Sequence, residues 1–78
     1  MKDKQGREYA RMSDLKEGDE VTVDGDFTCM LPWSQAEVLG DEDGLYILCE
    51  EGQHYLQGQL DYQDDDSLVG IYKGEVKP

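Results

Sequence analysis

The residues of this 78-residue chain with any capacity for chemistry are carboxylates, and they are unevenly placed. From Glu17 to Tyr72, fifty-six residues hold fifteen Asp or Glu and no Lys or Arg, while all seven basic residues lie outside that stretch. Paired carboxylates serve glycoside hydrolysis, but that reaction needs a sugar cleft, which so small a domain rarely supplies. Asp41, Glu42 and Asp43, and again Asp64, Asp65 and Asp66, offer hard oxygen ligands for calcium. An EF-hand loop closes on a bidentate Glu at its twelfth position. Here that position, counted from Asp41, is Gly52, and no helical pattern follows. His54 is the lone histidine, and its neighbours Glu50, Glu51, Gln53 and Tyr55 form no nucleophile and base arrangement. We therefore expect no enzymatic activity, no cofactor and no specific metal site.

What remains is the charge itself. A net charge of −12 repels nucleic acid and anionic membrane and attracts basic surfaces, with an effect that weakens as salt rises. The expected role is binding to a basic protein, with no direct contact to nucleic acid or membrane, as a monomer or a homodimer. Candidate contact residues are Glu20, Asp24, Asp26, Glu37, Asp41, Glu42, Asp43, Glu50, Glu51, Asp64, Asp65, Asp66 and Trp33. Duplex DNA carries a charge about every 1.7 Å of axis, counting both strands. A β-strand sets its outward side chains about 6.7 Å apart, so carboxylates on strands and turns fall at phosphate-like intervals.

The elements that must position these groups are short strands. Ser13, Asp14, Leu15 and Lys16 predict one helical turn, with Ser13 as its N-cap. Glu20 to Asp24 alternates, with Val21 and Val23 inward and Thr22 outward, and Asp24 and Gly25 predict a hairpin whose return strand runs from Asp26 to Leu31. Pro32, Trp33, Ser34 and Gln35 read as a loop, in which Trp33 either caps the core or stands out as a binding anchor. A third strand is expected over Ala36 to Leu39. Leu45 to Glu50, apolar on both faces, is the expected central strand. A fifth runs from Gln53 past Gly58 toward Leu60 and Tyr62, and a last from Leu68 to Tyr72. Strand runs recurring about every ten residues predict a mainly β fold, a small SH3-like barrel or a bent antiparallel sheet of five to six short strands with one helical turn near the N-terminus. The division expected is an N-terminal arm over 1–12, one β domain over 13–73 and a frayed tail over 74–78.

Two resemblances bear on this. The run Leu15, Gly18, Asp19, Val21, Val23 resembles the opening of SH3-like small barrels, which implies the bent sheet. Where nucleic-acid-binding members of that group carry Lys or Arg, this chain has carboxylates. In size, charge and lack of catalytic features the chain also resembles the small acidic inhibitors encoded by phages and mobile elements, including DNA-mimicking anti-CRISPR proteins. That resemblance rests on composition, carries over no residue, and implies blockade of a CRISPR effector complex or another DNA-binding protein without turnover.

The alternative is a structural or adaptor module of a phage or bacterium, binding through a strand edge or an apolar patch around Met30, Trp33 and Tyr62, with charge serving solubility. Cys29 and Cys49 lack CxxC spacing and are expected as reduced core thiols rather than a bridge. Lys2, Asp3 and Lys4 follow Met1 with no apolar run behind them, so no signal peptide is expected and the location expected is the cytoplasm of a bacterial host.

Overall fold

The computed structural model describes residues 2–24, 30–61 and 66–77. The return strand expected over Asp26 to Leu31 therefore falls mostly outside the described residues, as do Asp26, Tyr62, Asp64 and Asp65. The fold is mainly β. Two three-stranded antiparallel sheets are built from β1 (Glu20–Val23), β2 (Ser34–Glu37), β3 (Leu39–Asp41), β4 (Gly44–Cys49), β5 (Gly52–Tyr55) and β6 (Ile71–Lys73). Their orders are β2-β1-β6 and β3-β4-β5.

In the first sheet Val21 faces Ala36 and Lys73 across the ladder, and Val23 faces Ser34 and Ile71. Val21 and Val23 point inward as their alternation requires and are fully buried with Val38, Ile47, Leu56, Leu68 and Ile71. Val38 is the crossing point between sheets. It sits between β2 and β3, with its amide donating to the Asp19 carbonyl at 2.8 Å and its carbonyl accepting from the Gly18 amide at 2.8 Å. The Gly18-Asp19 pair thus anchors the strand crossing as well as opening β1.

The second sheet is a double hairpin. Asp41 pairs with Gly44 around a two-residue turn at Glu42 and Asp43, and Cys49 pairs with Gly52 around Glu50 and Glu51. None of the four loop residues has positive φ, which falls instead on the glycine that follows each loop. Gly44 at +127° and Gly52 at +123° take up the left-handed backbone at the exit of each. β4 is central in this sheet, but only one of its faces is closed: Ile47 is fully buried, whereas Leu48 is 59% exposed.

Several local expectations are corrected. Ser13 lies inside a 3₁₀ turn (Met12–Asp14) flanked by Arg11, with no side-chain cap. The Ser13 amide instead donates to Asp66 Oδ2 at 3.0 Å, so a carboxylate distant in sequence does the capping. Strand β2 begins at Ser34, inside the expected loop. The fifth strand stops at Tyr55, because a 3₁₀ turn over Leu56–Gln59 is what drives Leu56 into the core. Gly70, at φ +85°, breaks the run from Leu68 and delays β6 to Ile71. Thr22 is buried rather than outward, since residues 74–76 cover it. Its hydroxyl donates to the Gly74 carbonyl at 2.7 Å and accepts from the Val76 amide at 3.0 Å, which also ties down the segment expected to fray. The N-terminal segment is equally engaged: Ala10 is buried, and its amide donates to the Ile71 carbonyl at 2.7 Å.

Cys49 is disulfide-bonded, and among the described residues no cysteine is free. This overturns the expectation of a reduced thiol for Cys49. Cys29, the chain's other cysteine, lies outside the described residues. Thiol titration of the denatured, unreduced protein is expected to find no free thiol, and reduction to release two; two free thiols before reduction would contradict the bond.

Candidate binding surface

Two features stand out once the strands are in place, an acidic pair of turns and an aromatic cleft. The acidic turns follow from the double hairpin. Glu42 and Asp43 sit at one end of β4 and Glu50 and Glu51 at the other, all exposed. Five residue steps separate Gly44 from Cys49, so the ends of β4 lie about 17 Å apart and the acidic turns beyond them at least that far. Asp41 adds to the first end but is partly committed, accepting from the Asp43 amide at 2.8 Å and from the Tyr55 hydroxyl at 2.5 Å. That hydrogen bond, with burial second, pushes the Tyr55 hydroxyl up to about 12.

In the first sheet Glu20 and Glu37 lie directly opposite each other in the β1–β2 ladder, both exposed. Like charges in that position destabilise a ladder, so the pair sits there at a cost to the sheet. Asp66 has a different role. It is half-buried, accepts from Ser13 and lies 3.7 Å from the Arg11 guanidinium. The hydrogen bonds from Ser13, more than Arg11, hold its carboxyl below the usual range. It is a structural cap, and of the expected acidic triplet it alone is described. Among the described residues no three His, Cys, Asp or Glu side chains converge as a metal site. His54 is half-buried in β5.

The aromatic cleft brings together residues from opposite parts of the chain. Trp33 is half-buried and stacks on Tyr72, ring centroids 5.5 Å apart and planes 20° from parallel. Tyr9 meets the same Tyr72 at 5.3 Å. The Arg7 guanidinium lies over the indole, 5.0 Å from its centroid. Arg7 is held by Asp3, whose Oδ2 accepts from Arg7 Nη1 at 3.2 Å and from the Tyr72 hydroxyl at 2.5 Å, while its Oδ1 accepts from the amides of Gln5 and Arg7. Asp24 lines the same cleft. Trp33 therefore neither caps the core from outside nor stands free; it is one wall of a cleft. The sequence reading missed Asp3, Arg7, Tyr9 and Tyr72. The available signal was Asp3 followed three residues later by Gly6, a turn signature that folds the first residues back on themselves.

The Tyr72 hydroxyl is the main cause holding the Asp3 carboxyl down to about 2, assisted by the Arg7 and Gln5 amides and opposed by burial. Burial first, and then Asp3, push Tyr72 above the ordinary tyrosine range. A carboxylate with a depressed folded pKa stabilises the fold above its unfolded value of 3.8 and loses that contribution as pH falls through about 2. Emission from Trp33, the single tryptophan, is expected to change between those pH values as the arm releases, and Asp3→Asn is expected to show the released emission at neutral pH. An acid transition identical in the variant would remove Asp3 from that role.

No helix among the described residues is long and apolar enough to cross a membrane. No known family model, curated protein or solved structure matches the chain.

Proposed function

We propose that this protein is a non-enzymatic acidic binding protein that occupies the DNA-binding surface of a basic nucleic-acid-binding partner, in the manner of an anti-CRISPR-type DNA mimic. The observation that carries this is the pair of exposed acidic turns bracketing β4, in a stretch of chain without a single Lys or Arg. Their separation of at least about 17 Å spans five or more base-pair steps of duplex, at about 3.4 Å of axis per phosphate on each strand. The exposed pair Glu20 and Glu37 adds two carboxylates that oppose each other across a ladder, a placement that stability alone does not favour. A partner with clustered Lys and Arg meets such a surface at a rate and affinity that fall with salt.

One observation favours the adaptor alternative. Leu31 is 77% exposed and Leu48 59% exposed, and with Met30 they form the apolar part of one shallow groove that Ser34, Cys49 and Glu50 also line. Location is also a point of tension. A DNA mimic works in the cytoplasm of its host, whereas a disulfide such as that of Cys49 persists best in an oxidising compartment. A cytoplasmic protein would carry this bond only transiently.

The test is a pull-down from bacterial lysate with tagged protein, washed at low and moderate salt, with competitor duplex DNA in half the samples. A DNA-binding partner that both salt and DNA displace is the expected result. A partner indifferent to both would establish the adaptor role.

A further inference from the structure

We propose that the face of Trp33 is a guanidinium-binding site, occupied in the free protein by Arg7 and, in a complex, by an arginine of the basic partner that displaces it. This rests on the binding role proposed above and names the chemical group that one part of the surface selects. Three aromatic rings in series, Tyr9, Tyr72 and Trp33, carry the Arg7 guanidinium on the Trp33 face and the Asp3 carboxylate on the Tyr72 hydroxyl, and Arg7, Asp3, Tyr9, Asp24 and Trp33 line a cleft of about 290 Å³ that stays open with Arg7 in place. A planar, weakly hydrated guanidinium stacks on an indole face while donating to carboxylates, which an ammonium does less well. Arg7 already demonstrates the fit, lying 5.0 Å over the Trp33 ring and 3.2 Å from Asp3 Oδ2.

Two further observations mark the site as more than a packing contact. Trp33 is held at φ +63°, the one described non-glycine residue in the left-handed region, where bulky side chains are rare and where strain accompanies function. The hairpin that delivers Arg7 is attached to the body through its surface side chains. Residues 2–9 include no buried side chain, and the hairpin closes on the Lys2–Glu8 bridge, with the Asp3 amide donating to the Arg7 carbonyl at 2.9 Å and the Gly6 amide to the Asp3 carbonyl at 3.1 Å. Its hold comes from polar contacts at Asp3 and from the ring contacts of Tyr9 with Tyr72 and Arg7 with Trp33, rather than from fully buried side chains. Among the described residues, Lys4 is the only other cation lining the cleft.

The test uses Trp33 emission during titration with a tetra-arginine peptide and, separately, a tetra-lysine peptide of equal charge. Arg7→Ala empties the site. It is expected to bind tetra-arginine about tenfold more tightly than the native protein does, with a change in Trp33 emission, and to prefer it over tetra-lysine. Arg7→Lys, which keeps the charge and loses the planar group, is expected to fall between. Should Arg7→Ala fail to fold by circular dichroism, the arginine preference of the native protein and of Arg7→Lys decides the matter. Equal binding of both peptides without an emission change would overturn the site while leaving the general acidic attraction standing. Conversely, an arginine-selective emission change together with a pull-down indifferent to DNA would keep the site and remove the mimic.

Discussion

Ile47→Ala is expected to cost about 3 to 4 kcal/mol of folding free energy, while Leu48→Ala, one residue along the same strand, is expected to cost less than about 0.5 kcal/mol. Ile47 is fully buried in the central strand of the β3-β4-β5 sheet, where deletion of three carbons leaves a cavity that the rest of the core cluster fills only in part. A domain of 78 residues has about 4 to 12 kcal/mol of stability in all, so the first change removes a large share and the second almost none. Denaturant titration of both variants measures the difference. Similar losses for the two would mean that β4 is covered on both faces and that the Leu31–Leu48 groove is closed in solution.

That contrast also shows where sequence patterning succeeds and where it stops. Alternation placed Val21 and Val23 inward and marked β1 correctly, because a period of two has only one way to bury its apolar set. In β4 the run Leu45-Tyr46-Ile47-Leu48 offers apolar groups to both faces, so pattern alone predicts burial on both, and only the count of covering elements reveals that one face lacks a cover. Thr22 is the converse case. Alternation predicts it outward, and the segment over residues 74–76 that hydrogen-bonds its hydroxyl and buries it has no periodicity to announce it. The acidic turns were readable because Glu42-Asp43 and Glu50-Glu51 are each followed by a glycine at the position that needs positive φ. The aromatic cleft was not, since it joins Asp3 and Arg7 to Trp33 and Tyr72 across intervals with no local signal between them.

The largest functional effect is expected from reversing the four turn carboxylates together, Glu42→Lys, Asp43→Lys, Glu50→Lys and Glu51→Lys. Each change adds two charge units, so four bring the net charge from −12 to −4. The choice of residues follows from what each carboxylate does for the fold. Asp66 caps the Met12–Asp14 turn through the Ser13 amide and Asp41 takes the Tyr55 hydroxyl, so reversing either would confound binding with stability. The four turn residues are exposed and occupy two-residue loops whose conformation is set by the following glycines. Their reversal relieves like-charge repulsion within the fold, and the melting temperature is expected to hold or rise. Affinity for the partner recovered in the pull-down is expected to fall at least about a hundredfold at low salt, because like charges set against a basic surface cost several kcal/mol. Reversing only one turn is expected to give a smaller loss, with the two turns adding nearly independently across at least about 17 Å, a distance beyond the Debye length at physiological salt. Leu31→Ser with Leu48→Ser serves as the opposing pair. It removes the exposed apolar groups without touching charge, and the mimic requires it to leave binding nearly unchanged. Retained binding in the fourfold reversal together with its loss in the leucine pair would transfer the function to the apolar groove and leave the carboxylates as a solvated surface.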